Sequence, residues 1–200
     1  LVNQLLYVQK IEAGMVQLKL SEVDISVLVK NVITSFKHIA EIKQTEFILD
    51  FGIQSLYLWI DISKIESALK NLLSNALKYT PKGGKIRVTI EEKEVDGKMF
   101  CLLSVADNGP GIAENLQGRI FESFITGEND PSFSTKVGIG LRIVKNTMDL
   151  HHGKVLLNSA PGKGSEFILY LPLGREHFKE DVYQLVEDTR DEQKEEAFIA

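Results

Sequence analysis

KIESALKNLLSNALKY, spanning Lys64 to Tyr79, is the stretch on which the reading of this chain turns. At helical pitch Asn71, Asn75 and Lys78 fall on one narrow stripe, while Ile65, Leu69, Leu72, Leu73, Ala76 and Leu77 cover the opposite face. Two amides and an ammonium therefore leave a buried helix in the same direction. An amide oxygen is a hard, neutral ligand that Mg²⁺ accepts when phosphates supply much of its shell, and a lysine beside it neutralises phosphate charge. Taken alone the stripe reads as well as a solvated face, and its meaning depends on the flanking sequence.

The 200 residues, 44% of them apolar, suffice for one domain with appendages. The net charge of −5 is local: from Gly174 onward there are four Lys or Arg against nine Asp or Glu, leaving 19 of each sign elsewhere. A near-neutral body argues against broad nucleic-acid binding, which needs a basic surface. Cys101 is the single cysteine, so neither an internal disulfide framework nor a thiolate metal cluster is expected, and a reducing compartment follows. No apolar run reaches the length of a membrane span, and the first residues lack the marks of a signal peptide, so the expectation is a cytoplasmic fragment.

Upstream, Leu1 to Ala13 carries apolar residues at three- and four-residue spacing and stops at Gly14, as the end of a longer helix would. Gln17–Leu20 alternates like a strand. Ile25–Ile42 reads as one helix packed on a sheet, with His38 structural or on its surface. Glu46–Phe51 and Leu56–Ile60 read as strands, and Asp61 and Ser63 can both cap the helix quoted above.

Downstream, the Thr80-Pro81-Lys82-Gly83-Gly84 run ends that helix, and Lys85–Glu92 and Met99–Ala106 predict a hairpin around Val95–Lys98. The chain then reads Asp107-Asn108-Gly109-Pro110-Gly111-Ile112. Glycines beside a strand-end aspartate let the backbone approach a ligand, and the carboxylate can accept a hydrogen bond from an exocyclic amine, although alone this run reads as a turn. The region from Ala113 to Val137 has little periodicity, and Phe121 and Phe124 suit the anchoring of its base. Gly138-Ile139-Gly140-Leu141 opens a helix to Leu150, whose N-terminal N–H groups suit an anion. His151-His152 reads as a helix end. Lys154–Ser159 and Glu166–Leu171 read as strands, and the acidic segment after Gly174 as a solvated helix or linker with a weak helical pattern at Phe178, Val182, Leu185 and Val186.

Four individually weak signals thus stand in one order. From Ile11 to Gly174 the chain resembles the ATP-binding catalytic domain of sensor histidine kinases, within the wider family that includes Hsp90, MutL and type II topoisomerase ATPases. Asn71 to Thr80 looks like its N box, Asp107 to Gly111 the G1 box, Phe121 to Phe124 the F box, and Gly138 to Leu141 the G2 box. The resemblance implies an α+β fold, the two-layer α/β sandwich known as the Bergerat fold. Its mixed, mostly antiparallel sheet of about five strands packs on three helices under a mobile lid over ATP. It implies ATP and Mg²⁺ as cofactors, with Asn75 giving an oxygen to Mg²⁺, Asn71 and Lys78 at the transferring phosphate, and Tyr79 over the adenine. It places the adenine amino group on Asp107, with Gly109 and Gly111 giving clearance and Ser165 near the base. Ile112, Phe124, Ile139, Gly140 and Leu141 line the site beside Gly138.

One departure concerns the lid: Ser134-Thr135-Lys136-Val137 precede Gly138 where the family has further glycines, and Lys136 is a candidate phosphate contact in their place. Lys10 to Gly14 resembles the end of the kinase dimerisation and phosphoacceptor domain, so residues 1–14, 15–174 and 175–200 are expected to be helix end, catalytic domain and linker. None of His38, His151, His152 or His177 has the setting of an acceptor. The implied partner is a histidine phosphoacceptor domain of the same protein, in a homodimeric, membrane-anchored parent. Leu171 to Phe178 resembles the junction to a receiver domain in hybrid kinases, which makes a response-regulator receiver a second partner. The alternatives are an ATP hydrolase, disfavoured because an amide at Asn71 cannot act as general base, and a nucleotide-binding scaffold without catalysis.

Overall fold

The computed structural model describes residues 16–121, 139–179 and 183–185. Its strands are β1 (Leu18–Asp24), β2 (Glu46–Phe51), β3 (Tyr57–Ile60), β4 (Lys85–Val95), β5 (Lys98–Asp107), β6 (Lys154–Ser159), β7 (Ser165–Pro172) and β8 (Tyr183–Leu185). Its helices are α1 (Ile25–Thr34), α2 (Lys37–Lys43), α3 (Ile62–Tyr79), the single turn α4 (Glu114–Gln117) and α5 (Gly140–Leu150).

Alternation builds the main sheet. Ile86, Val88 and Ile90 of β4, Cys101, Leu103 and Val105 of β5, and Phe167, Leu169 and Leu171 of β7 are buried on one face. The strand order is β2-β4-β5-β7-β6, with β2 parallel to β4 and every other pair antiparallel. The β4–β5 hairpin turns through Asp96 and Gly97, both at positive φ (52° and 74°), the geometry that matches the twist of the flanking strands. Against this face lie the apolar stripes of α1, α3 and α5, in one core that includes Leu28, Val32, Leu69, Leu72, Leu73, Val144 and Met148. The architecture is the expected sandwich of a mixed, mostly antiparallel five-stranded sheet on helices.

Three local expectations change. The helix predicted over Ile25–Ile42 breaks at Ser35, whose N–H and Oγ both donate to the carbonyl of Val32 (3.1 and 2.6 Å), closing a tight turn before α2 begins. The strand after Gly14 continues through Asp24, because β1 pairs antiparallel with β3 from Ser21↔Ile60 to Asp24↔Tyr57. The helical pattern read into the acidic segment is overturned at Tyr183–Leu185, which forms β8 and pairs in parallel with Leu18–Leu20. The open edge of β1 supplies backbone partners that a solvated helix would not use, and Phe178 is buried with Leu18 and Leu20. No described helix is long and apolar enough to cross a membrane.

Candidate nucleotide site

The stripe of α3 is held in place from both ends. At its start Asp61 caps the helix: Oδ1 accepts from the Lys64 N–H (3.2 Å) and the Ser63 hydroxyl (2.7 Å), and Oδ2 takes the Lys64 ammonium (2.7 Å) and the Lys19 N–H (3.0 Å). Burial opposes the charge on Asp61, yet these donors and the Lys64 charge hold its carboxyl below the usual range. Ser63, the other candidate cap, thus serves Asp61. At the far end the Lys43 ammonium donates to the carbonyls of Leu77 and Lys78, and Thr80 leaves the helix in an extended conformation before Pro81.

Between these anchors Ile65, Ala68, Leu69, Leu72, Leu73, Ala76 and Leu77 are buried, while Asn71 and Asn75 are half-buried and Lys78 is exposed. The Asn71 amide donates to the Ser67 carbonyl (2.9 Å), and its oxygen lies against Gly140 at the start of α5. A Cβ on Gly140 would lie 2.8 Å from that oxygen. Helix α5 begins after the buried Ile139, whose apolar side chain does not cap it, and a helix start of this kind presents N–H groups that suit an anion. Lys78 reaches the Tyr79 hydroxyl (3.1 Å) and stands 4.8 Å from the centre of its ring. On its other flank Asn71 borders an open groove of about 490 Å³, lined also by Phe36, Ser67, Lys70 and Ser74.

The segment after β5 packs without slack. Asp107 Oδ1 accepts from the Gly109 N–H (2.8 Å). Burial raises the Asp107 carboxyl above its ordinary range, and the N–H groups of Gly109 and Ser165 only partly offset this. A Cβ on Gly109 would fall 2.9 Å from the Tyr79 carbonyl oxygen, so this glycine lets the loop lie on the end of α3. Gly111, at φ +71°, has no room for a Cβ against the backbone of Ala160. Asn108 Oδ1 accepts from the Lys85 N–H (2.8 Å), fastening the loop to β4. Ile112 and Leu141 pack at the margin of the core, and Phe121 meets Phe167 edge-on at 6.3 Å.

The structure therefore joins the motifs in a ring: Asn71 against Gly140, Tyr79 against Gly109, and Asp107 beside Ser165, its partner in the β5–β7 register. Phe124, Lys136 and Gly138 lie outside the described residues. Sequence reasoning missed Ser159, whose hydroxyl accepts from the Ile112 N–H (2.9 Å) and donates to the Gly164 carbonyl (2.8 Å). It also missed Gln117, whose amide donates to the carbonyls of Ile112 (2.9 Å) and Ser159 (3.0 Å). The Gly-Lys-Gly run at 162–164, with both glycines at positive φ, was the available signal that the chain turns tightly there.

His151, read as a helix end, proves to be a buried joint. Its Nδ1–H donates to the Thr147 carbonyl (2.7 Å), and Nε2 accepts from the Asp61 N–H (3.0 Å), linking the end of α5 to the start of α3. Burial pushes its pKa down to about 4.

Residues 60–175 match the profile of the histidine kinase-, DNA gyrase B- and HSP90-like ATPase family. The chain belongs to this family, as an ATPase domain of the histidine kinase type. It is 37% identical over 174 residues to the sensor histidine kinase TmoS of Ectopseudomonas mendocina, covering 86% of this chain and 17% of that protein. Among solved structures it resembles full-length ShkA in complex with AMPPNP, with 29% identity, TM-score 0.75, and 86% of this chain and 35% of that one covered. The catalytic domain of histidine kinase ThkA superposes with TM-score 0.67 at 27% identity, covering 78% of this chain and 98% of that domain. The chain thus spans about a sixth of TmoS and nearly the whole of the ThkA catalytic domain.

Proposed function

We propose that this domain binds Mg-ATP and presents its γ-phosphoryl group for in-line transfer to a histidine on a dimerisation domain of the same protein. The observation that carries this reading is the setting of Asn71. At the junction of α3 and α5, beside a helix start whose N-cap residue Ile139 offers no capping side chain, stands an amide with its oxygen against Gly140, where a water-activating hydrolase would place a carboxylate. Transfer of this kind asks a protein chiefly for positioning and charge neutralisation. Lys78 and the first turn of α5 supply positive potential for the phosphates, Tyr79 a ring beside the base, and Asp107 an acceptor for its amino group. Gly109 and Gly111 keep the wall thin, Ser165 flanks the base, and Ile112, Ile139 and Leu141 form apolar lining. Phe124, Lys136 and Gly138 retain the roles implied by the resemblance.

The donor set suits a metal brought in with the nucleotide. Among the described residues no group of three or more His, Cys, Asp or Glu side chains could hold an ion, so the protein offers the neutral oxygen of Asn75, with Asn71 close by. When bound there, Mg²⁺ would screen phosphate charge; its remaining shell would come from phosphates and water.

The same proposal assigns residues 1–14 to the end of the dimerisation helix, 15–174 to the catalytic domain and 175–200 to the approach to a following domain. The parent would be a homodimer, anchored in the inner membrane with this domain in the cytoplasm, and a response-regulator receiver would take the phosphoryl group onward. Calorimetric titration of ATP with and without Mg²⁺ tests the pocket, and transfer of labelled phosphate to an added histidine phosphoacceptor domain tests the reaction. Mg-dependent binding that weakens in Asp107→Asn, followed by transfer, is expected. Binding with hydrolysis and no transfer would support the hydrolase instead.

A further inference from the structure

Ile86, Asp107, Ser165 and Ser159 are opposite one another in register across β4, β5, β7 and β6, so their side chains share the helix-facing side of the sheet. Resting on the nucleotide reading of this site, we infer that Ser159 is a positioning residue for base recognition, turning the Ser165 hydroxyl so that the wall beside Asp107 offers the base only acceptors.

A serine hydroxyl has one proton and two lone pairs. The Ser159 proton goes to the Gly164 carbonyl (2.8 Å), and one lone pair takes the Ile112 N–H (2.9 Å). Its contact with Ser165 Oγ, 3.0 Å away, must then use the remaining lone pair, so Ser165 is the donor. With that proton directed along the sheet toward β6, the Ser165 oxygen has only lone pairs left for a ligand, and the neighbouring Asp107 carboxylate likewise only accepts. Two adjacent acceptors select a base edge that carries donors, such as an exocyclic amino group. A carbonyl at the same place would set lone pair against lone pair beside a buried serine and a half-buried carboxylate. Gln117 donates to the carbonyls of both Ser159 and Ile112 and so ties the backbone of these two residues together.

The test compares ATP with inosine triphosphate, which carries a carbonyl in place of the amino group, by calorimetry on the full chain and its variants. Wild type is expected to prefer ATP by about a hundredfold. In Ser159→Ala the Ser165 proton is free to turn toward the ligand, and the preference should fall about tenfold, chiefly through tighter binding of inosine triphosphate. Ser165→Ala reads the same hydroxyl from the other side and should also lower the preference, after which adding Ser159→Ala should change it no further. An equal loss of affinity for both nucleotides in Ser159→Ala, or an unchanged preference in Ser165→Ala, would overturn the inference while leaving the nucleotide site standing. If wild type bound neither nucleotide, the site reading itself would fall, and the inference with it.

Discussion

The Asn71 side-chain oxygen occupies the space that a Cβ on Gly140 would need, at 2.8 Å. Two motifs 69 positions apart are thus fitted to each other at the level of one missing methyl group. Gly140→Ala should leave the fold intact, since alanine favours a helix over glycine by up to about 1 kcal/mol. It should nevertheless swing the Asn71 amide off the Ser67 carbonyl. The expected result is an unchanged or slightly raised melting temperature together with ATP affinity about tenfold weaker, read by a thermal melt and calorimetry on the same sample.

Gly164 sits at φ +81°, where a Cβ would lie 1.9 Å from the Asp107 carbonyl oxygen. Because the obstacle is backbone, no rotamer change relieves it. Gly164→Ala is expected to cost about 2 kcal/mol or more in urea unfolding, whereas Gly162→Ala, also at positive φ but facing open space, should cost less. Equal costs would show that backbone conformation alone, and not the contact with Asp107, sets the requirement.

Asp107 places function against stability. Its carboxyl titrates above the ordinary value, first because of burial, so the folded state binds a proton more readily than the unfolded chain. Stability therefore falls as pH rises from the ordinary carboxyl value of 3.8 through the folded pKa, and the charge then costs a constant amount at neutral pH. Asp107→Asn should therefore raise the melting temperature at pH 7 without nucleotide and weaken ATP binding at least tenfold, because an amide cannot offer acceptors alone. A variant that loses both stability and binding would contradict this.

His151 predicts the opposite pH trend. Its folded pKa of about 4 lies below the unfolded value of 6.5, so the unfolded chain takes up the proton first. The stabilisation is complete above pH 6.5 and is lost as pH falls toward 4, by at most about 3 kcal/mol at 1.36 kcal/mol per unit. Denaturant midpoints at pH 7.5 and pH 5.0 measure it. In His151→Leu the pH dependence should flatten, while the orphaned Asp61 N–H costs about 1–3 kcal/mol at both values.

Phe178 is 7% exposed and packs against His151, His152, His177 and Tyr183, with ring separations between 4.1 and 6.3 Å. Although it lies past the last strand of the main sheet, Phe178→Ala should cost about 2–4 kcal/mol. A chain cut after Gly174 should be destabilised at least as much, since Leu18 and Leu20 lose their cover and β1 loses β8. If truncation left the melting temperature unchanged, β8 would contribute nothing to the fold.

What could be read directly from the sequence was whatever repeats along one element. The 3.6-residue pattern of Lys64–Tyr79 identified α3 and its polar stripe, period-two alternation identified β4, β5, β6 and β7, and the glycines at 109, 111 and 140 marked close approaches. These are local properties, and the core enforced them. The same periodicity erred where a distant partner outweighed it: at Ser35, where the hydroxyl closes a turn, and at Tyr183–Leu185, where the bare edge of β1 favoured a strand. Only the tertiary structure decided that Asn71 turns its oxygen to Gly140, that His151 receives the N–H of Asp61, and that Asp107, Ser165 and Ser159 stand in one row. Those relationships depend on strand register and helix placement, which are set by contacts between residues far apart in the chain, and no spacing within a single element encodes them.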